Sequence, residues 1–339
     1  MDTISTEIEQ AAAGSREKLA FEFRGDGTEY FKIWIVNVLL TIVTLGIYSA
    51  WAKVRTNQYF YSNLYLNNSN FSYLADPVVI LKGRVIAVIA FIIFQAVSQT
   101  NPAAGLVLLA LLFISMPYFV NKSLEFNHRM SAYANIQFRF KGSYGQAAMV
   151  IFIWPLLGVL TLGILLPLAI LKSNEYVINN SAYGTSKFSF QATYKDYAVI
   201  FLTAIGIAFA CAVPIVIISY FIPALSFLSM FLVMCAYFAV IVYFSVSAGN
   251  LFYKSTSLLD HGFEADFTMA ALTKVILLNL FFTLITFGLY LPAAKVRIAK
   301  YISSCLVMHA AGDLQGFSAA EKENVSALGE EFGQVFDFA

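Results

Sequence analysis

The chain has 339 residues, of which 59% are hydrophobic and 12% charged, with a formal net charge of +1. So small a charged fraction excludes an ordinary water-soluble domain, where about 25% is usual, and marks a membrane protein. The even charge balance, with no Lys/Arg-rich run, gives no footing for nucleic acid, and Cys211, Cys235 and Cys305 are too scattered for a disulfide framework or a zinc pattern.

In chain order, residues 1–20 lack a basic stretch followed by an apolar one, so a disordered cytoplasmic tail is expected there and a cleaved signal peptide is not. Seven hydrophobic segments follow, near 33–52, 83–99, 103–120, 147–171, 197–220, 224–248 and 275–294, most of them near the length of about 20 residues that a span needs. The second and third fold about a polar tip at Asn101, and the fifth and sixth about Pro223, so each pair reads as a helical hairpin. Short strands are expected at Phe21 to Arg24, Phe71 to Tyr73, Phe138 to Phe140 and Phe188 to Phe190, where aromatic and polar residues alternate beside glycine or an Asn/Ser-rich turn. The fold class predicted is an all-α polytopic membrane protein of seven hydrophobic segments, with short β elements at the cytoplasmic face.

The segments repeat. TLGIYSAWAKVRTNQY from Thr44 returns as TLGILLPLAILKSNEY from Thr161 and as TFGLYLPAAKVRIAKY from Thr286. Three tandem repeats are expected at 21–137, 138–262 and 263–310, the third partial and without the Phe-x-Phe-basic-Gly strand signature. An acidic cytoplasmic tail is expected at 311–339, where Glu321, Glu323, Glu330, Glu331 and Asp337 among apolar residues fit either a short helix docking on the basic exits of the repeats or a solvated, mobile tail.

Within the repeats, Gly46, Gly163 and Gly288, with Pro167 and Pro292, read as helix breaks, which lipid tolerates only where protein or water satisfies the freed backbone. Lys53, Arg55, Lys172, Lys295 and Arg297 beside Trp51, Tyr59, Tyr176 and Tyr301 have the composition of an interfacial anchor, or of a site for anionic lipid headgroups. Asn37 and Asn279 sit at equivalent places, each on one helical face with Thr41 or Thr283; interhelical hydrogen bonds are the plain use of that face and a polar path the other. His128, His261 and His309 lie far apart, no hydrolase, zincin or phosphate-loop motif occurs, and no ionisable residue lies deep in any apolar window. No catalytic residue, metal or cofactor is therefore expected.

The stretches TEYFKIWIVNVLLTIVTLGIYSAWAKVRTNQYFYSN, ILKGR, FRFKGSYG and LYLPAAKVRIAKY resemble the YjgN-type bacterial inner-membrane proteins, a family of unknown function, over nearly the whole chain. LPLAILK in the second repeat departs from the tryptophan-rich, basic version expected of the family. The resemblance implies a multi-pass place in the inner membrane and brings no substrate or catalytic residue.

Two functions fit: passage of a small neutral or lipid-like solute, or a structural, membrane-organising module binding anionic lipid and a cytoplasmic partner of unknown identity. Two topologies also fit. If every repeated segment crosses, the basic residues divide poorly between the two sides. If each dips in and turns at its Thr-Leu-Gly or Thr-Phe-Gly, only the two hairpins span and all 21 basic residues lie on the cytoplasmic side.

Overall fold

A computed structural model describes residues 17–221, 226–314 and 316–325. One plan recurs in it: a strand leads to one end of a barrel, a helical hairpin projects from that end, and a second strand returns. The first unit is β1 (Glu17–Phe23), α1 (Gly27–Val43), α2 (Ser49–Ser62) and β2 (Leu64–Leu66). The second is β3 (Ser69–Tyr73), α3 (Pro77–Thr100), α4 (Pro102–Arg129) and β4 (Ser131–Tyr133). The third is β5 (Ile136–Phe140), α5 (Tyr144–Leu160, with a π-helical stretch at Met149–Ile153), α6 (Leu166–Asn179) and β6 (Ser181–Tyr183). The fourth is β7 (Ser186–Phe190), α7 (Tyr194–Phe221), α8 (Ser226–Lys254) and β8 (Thr256–Leu258); the fifth is β9 (His261–Ala265), α9 (Met269–Ile285), α10 (Leu291–Cys305) and β10 (Leu306–Ala310).

These strands close into one antiparallel barrel in which each pairs with its sequence neighbours and β10 pairs with β1, Leu19 opposite Met308. The expectation of an all-α protein is thereby overturned. Three of the four strands read from sequence fall within β3, β5 and β7, and the first overlaps β1 with Arg24 one residue past its end; the return strands are mostly three residues long, too short to display an alternation of their own. Nor do all seven hydrophobic segments form spanning helices among the described residues. Among the described residues four helices, α3, α4, α7 and α8, are long and apolar enough to cross a membrane. The windows at 33–52, 147–171 and 275–294 each turn back midway, leaving first arms such as the 17-residue α1, about 25 Å long against about 30 Å of hydrocarbon.

Local chemistry explains the recurrence. Each outgoing strand carries a phenylalanine five residues before a helix cap: Phe21 and Asp26, Phe71 and Asp76, Phe138 and Ser143, Phe188 and Thr193, Phe263 and Thr268. The Asp26 carboxylate accepts from the Thr28 N–H at 2.8 Å, and that of Asp76 from the Val78 N–H at 2.8 Å, satisfying first-turn donors that otherwise lack partners. At the opposite end of the barrel the units are joined by two-residue turns, with Asn67, Asn68, Ala134, Asn135, Gly184 and Leu259 at positive φ, the backbone that matches the twist of a tight β-hairpin.

The three short hairpins share one turn. In the first, the Gly46 N–H donates to the Thr41 carbonyl at 2.8 Å, and the Thr44 hydroxyl donates to the Leu40 carbonyl at 2.7 Å while accepting from the Tyr48 N–H at 2.9 Å. Thr161 with Gly163 and Thr286 with Gly288 repeat these bonds. The threonine closes backbone groups that no solvent need reach, which suits a turn made in lipid. Gly46, Gly163 and Gly288 have φ of 91°, 94° and 90°, and each preceding residue, Leu45, Leu162 or Phe287, is also left-handed and 95% to 98% exposed. A bulky apolar residue at such a φ costs roughly 1 kcal/mol or more; here it caps an apolar tip. Neighbouring hairpins pack side to side, and α10 against α1 completes a ring of helices above the barrel.

β1 begins at Glu17, within the stretch expected to be tail, while residues 1–16 lie outside the described residues. Residues 316–325 are helical and lie on the barrel's tight-turn end, not on the basic exits of the helical hairpins. Glu330, Glu331 and Asp337 lie outside the described residues, as does the tip at Pro223.

Candidate functional site

The barrel interior is stacked in layers that the strand register specifies. Phe21 faces Leu66, Phe71 faces Tyr133, Phe138 faces Tyr183, Phe188 faces Leu258 and Phe263 faces Met308. The five phenylalanines form a girdle, with ring centroids 6.3 Å apart for Phe21 and Phe71, 6.4 Å for Phe138 and Phe188, and 6.3 Å for Phe188 and Phe263. Toward the tight-turn end the lumen is filled: Leu19, Leu66, Tyr133, Ile136, Tyr183, Leu258 and Met308 are buried together. The Tyr133 hydroxyl donates to the Leu66 carbonyl at 2.8 Å, and burial pushes its pKa up to about 12.

The helix 316–325 seats Phe317 against Tyr183 and His261 and brings the buried Glu321 to the β6–β7 turn. There the carboxylate accepts from the Thr185 N–H at 2.7 Å and from the Ser186 hydroxyl at 2.5 Å. Burial alone would raise its pKa, but these bonds outweigh it and hold the carboxyl below its ordinary range.

Toward the helices the lumen opens into a chamber of about 500 Å³ whose floor is the phenylalanine girdle. Its wall includes Leu64, Ser131, Ser181, Thr256 and Leu306, the first inward residues of the return strands, with Tyr61, Asn127, His128, Phe252 and Tyr253 above. The His128 ring lies between the Leu124 carbonyl, 2.8 Å from Nδ1, and the Ser181 hydroxyl, 2.9 Å from Nε2. Among the described residues no carboxylate lines the chamber, so it is an apolar cup with a sparse hydroxyl rim, the usual composition of a site for a mostly apolar molecule.

The residues singled out from sequence lie elsewhere, in the short hairpins. Asn279 is engaged: its amide donates to the Ala294 carbonyl at 3.3 Å and accepts from Arg297 at 3.2 Å, and the guanidinium lies 5.3 Å from the Tyr290 ring. Asn37, its match in sequence, is 4% exposed and neither side-chain polar atom has a hydrogen-bond partner. Arg55 instead donates to the Tyr48 hydroxyl at 3.0 Å, and Trp51 stacks on Tyr48. The Thr41 hydroxyl donates to the Asn37 carbonyl at 2.6 Å, and the Thr283 carbonyl receives the Gly288 N–H. Pro167 and Pro292 do not break a helix; they lie in the opening turns of α6 and α10, where a missing N–H is harmless.

Lys172 pairs with Glu175 at 2.6 Å. The tyrosines tie return helices to the structure around the caps: the Asp26 N–H donates to the Tyr59 oxygen at 2.8 Å, the Tyr301 hydroxyl donates to the Thr268 carbonyl at 3.4 Å, and the Tyr176 hydroxyl donates to Asn121. Asn37 and Lys53 share a pocket with Lys295. The phenylalanine girdle, His128 and the Glu321 seat were not read from sequence. The constant five-residue step from phenylalanine to cap was the signal that could have revealed the girdle.

A barrel bearing a ring of helical hairpins, some long and apolar enough to cross a bilayer, defines an integral membrane protein. Residues 18–335 match the family described as "Bacterial protein of unknown function (DUF898)", and the chain belongs to that family. It is similar to the protein named "Inner membrane protein YjgN" of Salmonella typhimurium, at 34% identity over 42% of this chain and 37% of that protein. The proteins of the same name from Escherichia coli O157:H7 and K12 are each 34% identical over 42% of this chain and 36% of their own length. The matched stretch thus spans little more than a third of these relatives, and no solved structure matches. The chain is a bacterial inner-membrane protein.

Proposed function

We propose that the protein takes up an amphiphilic, lipid-like molecule from the bilayer and holds its apolar portion on the phenylalanine girdle, as a step in its passage through or along the membrane. The observation that carries this reading is the chamber itself: five phenylalanines, one from each unit, floor about 500 Å³ beneath the helical hairpins. The hydroxyls of Ser131, Ser181 and Thr256 and the imidazole of His128 supply hydrogen bonds for a small polar end. Binding, not catalysis, is the reading, because no carboxylate stands beside His128 in the chamber, and among the described residues no cluster of His, Cys, Asp or Glu gathers that could hold a metal ion. The barrel is assigned to the cytoplasmic side, since all the helical hairpins leave one end of it and the tips at Leu45, Asn101, Leu162 and Phe287 carry no charge.

A fatty acid carrying a diazirine at its tail tests the chamber. Photolabelling of the protein in bilayer discs is expected to mark peptides containing Phe138, Phe188 or Phe263, with Phe188→Asp abolishing the label there. Labelling confined to lipid-facing positions such as Ile86 and Ile89 would overturn the proposal. For sidedness, Asn101→Cys and Asn68→Cys are made separately in a background without native cysteine. An impermeant thiol reagent on intact spheroplasts is expected to reach the first only; the reverse pattern overturns the assignment.

A further inference from the structure

The short hairpin α1–α2 and the neighbouring α10 border an open pocket of about 430 Å³ that no feature of the chamber uses. We infer that it is a binding site for the phosphate of an anionic phospholipid, with Asn37 as its buried donor and Lys53 and Lys295 as its cationic rim. The inference stands apart from the chamber reading.

It starts from the contrast between two matched asparagines. In α9–α10 the guanidinium of Arg297 turns inward to Asn279, and the amide is satisfied within its own hairpin. In α1–α2 the corresponding Arg55 turns away to the Tyr48 hydroxyl. Asn37 is left as a carboxamide whose donor and acceptor are buried without a protein partner. Leaving such a group unmade costs about 1–3 kcal/mol, so its retention calls for something that pairs with it.

The lining specifies what that is. Asn37 shares the pocket with the Thr56 hydroxyl, the amide of Asn57 and the ammonium groups of Lys53 and Lys295; Ser49 also lines it, its hydroxyl donating to the Gly46 carbonyl at 2.5 Å and accepting from Arg84, and among the described residues no carboxylate lines it. No ion pair to either lysine occurs among the described residues. Amide and hydroxyl donors with two uncompensated cations fit a phosphate oxyanion. Trp34, Val38 and Ile42 supply an apolar wall on the same hairpin whose tip, Leu45, is the apolar cap described above. A phosphate there would have its acyl chains beside an apolar helix, which is the reason for choosing a lipid phosphodiester over the free ion.

The test uses the full chain in bilayer discs of phosphatidylcholine containing one part in ten of phosphatidylglycerol, then native mass spectrometry of the lipid retained on release. Wild-type protein is expected to retain phosphatidylglycerol over phosphatidylcholine by about tenfold or more, the scale of two basic groups at a membrane surface. Lys53→Gln with Lys295→Gln is expected to abolish that preference, and Lys187→Gln, on the barrel, to leave it intact. Asn37→Leu removes no charge. It is expected to weaken retention severalfold while keeping or raising the thermal midpoint in pure phosphatidylcholine, and this keeps the question open to decision even if the double variant folds poorly. Equal retention of the two lipids by the wild type, or an unchanged preference in both variants, overturns the inference. An increase in thermal midpoint with inorganic phosphate as large as that with phosphatidylglycerol would assign the pocket to free phosphate and overturn the lipid assignment.

Discussion

The two ends of the barrel are built from the same strands and treated in opposite ways. At the tight-turn end, large side chains fill the lumen, the Tyr133 and Tyr183 hydroxyls each donate to a strand two places away, and a helix lies over the opening. At the helical end the inward positions hold Ser131, Ser181 and Thr256 between Leu64 and Leu306, and the space above them is left unfilled. A small barrel is either filled by side chains or left wide enough for one small ligand. Packing one half concentrates stability there and frees the other half to hold something else, so damage at the two ends should be felt in different measurements.

The largest effect on stability is expected from Met308→Ala. The side chain is 2% exposed in the packed half, and truncating a buried methionine costs about 2–5 kcal/mol. Thermal unfolding in bilayer discs should show a fall in midpoint of several degrees, with acyl-probe affinity little changed wherever the protein remains folded. A loss of probe binding out of proportion to unfolding would break the division.

The contribution of Glu321 is smaller and depends on pH. Its carboxyl is held below its ordinary 4.5 in the folded protein. The stabilisation is therefore fully present above that value and is lost as pH falls through the lowered, folded-state one. Protection of the Thr185 N–H from hydrogen exchange, corrected for the intrinsic rate, should decline below about pH 4.5 in the wild type. Above about pH 4.5 Glu321→Gln should lower it, by the equivalent of about 1.5–3 kcal/mol for a hydrogen bond to a charged group, and the difference should shrink as acid protonates the wild-type carboxyl. Equal protection in both proteins would remove the helix 316–325 from the account of the closed end.

The smallest stability effect belongs to the open end. Phe188→Leu keeps an apolar side chain at a partly exposed site and should cost less than about 1.5 kcal/mol. Labelling by the photoreactive acid should nevertheless fall clearly, since an aromatic surface is lost from the chamber floor. If Met308→Ala and Phe188→Leu shifted unfolding and labelling in the same ratio, the two ends would not be distinct.

How much of this could be read in the sequence varied with the scale of the interaction. The turns of the short hairpins were legible, because Thr44 and Gly46 act within a few residues of themselves. The barrel was not. Return strands such as SAY at Ser131 and again at Ser181 carry no pattern of their own and become strands because neighbours on both sides pair with them. The asparagines were found, but their different states were not. Arg55 and Arg297 are the same residue in the same local sequence, and packing decides which of them reaches inward: Phe282 lies beside one guanidinium, at 5.7 Å, whereas Tyr48 receives the other.

The seam between β1 and β10 has a consequence for how the chain is assembled. Every other pair of neighbouring strands is separated by one turn or one helical hairpin, but this pair is separated by roughly 290 residues, a loop-closure cost of about 5 kcal/mol. β1 is synthesised early and must keep one edge unsatisfied until the last strand emerges, by which time the hairpins have had the chance to enter the membrane. An unpaired edge is also a template for the wrong neighbour. The rate of ring closure, set against the rate at which such edges find one another, therefore governs the yield of protein, and a substitution that slows closure would reduce abundance without touching either the chamber or the pocket.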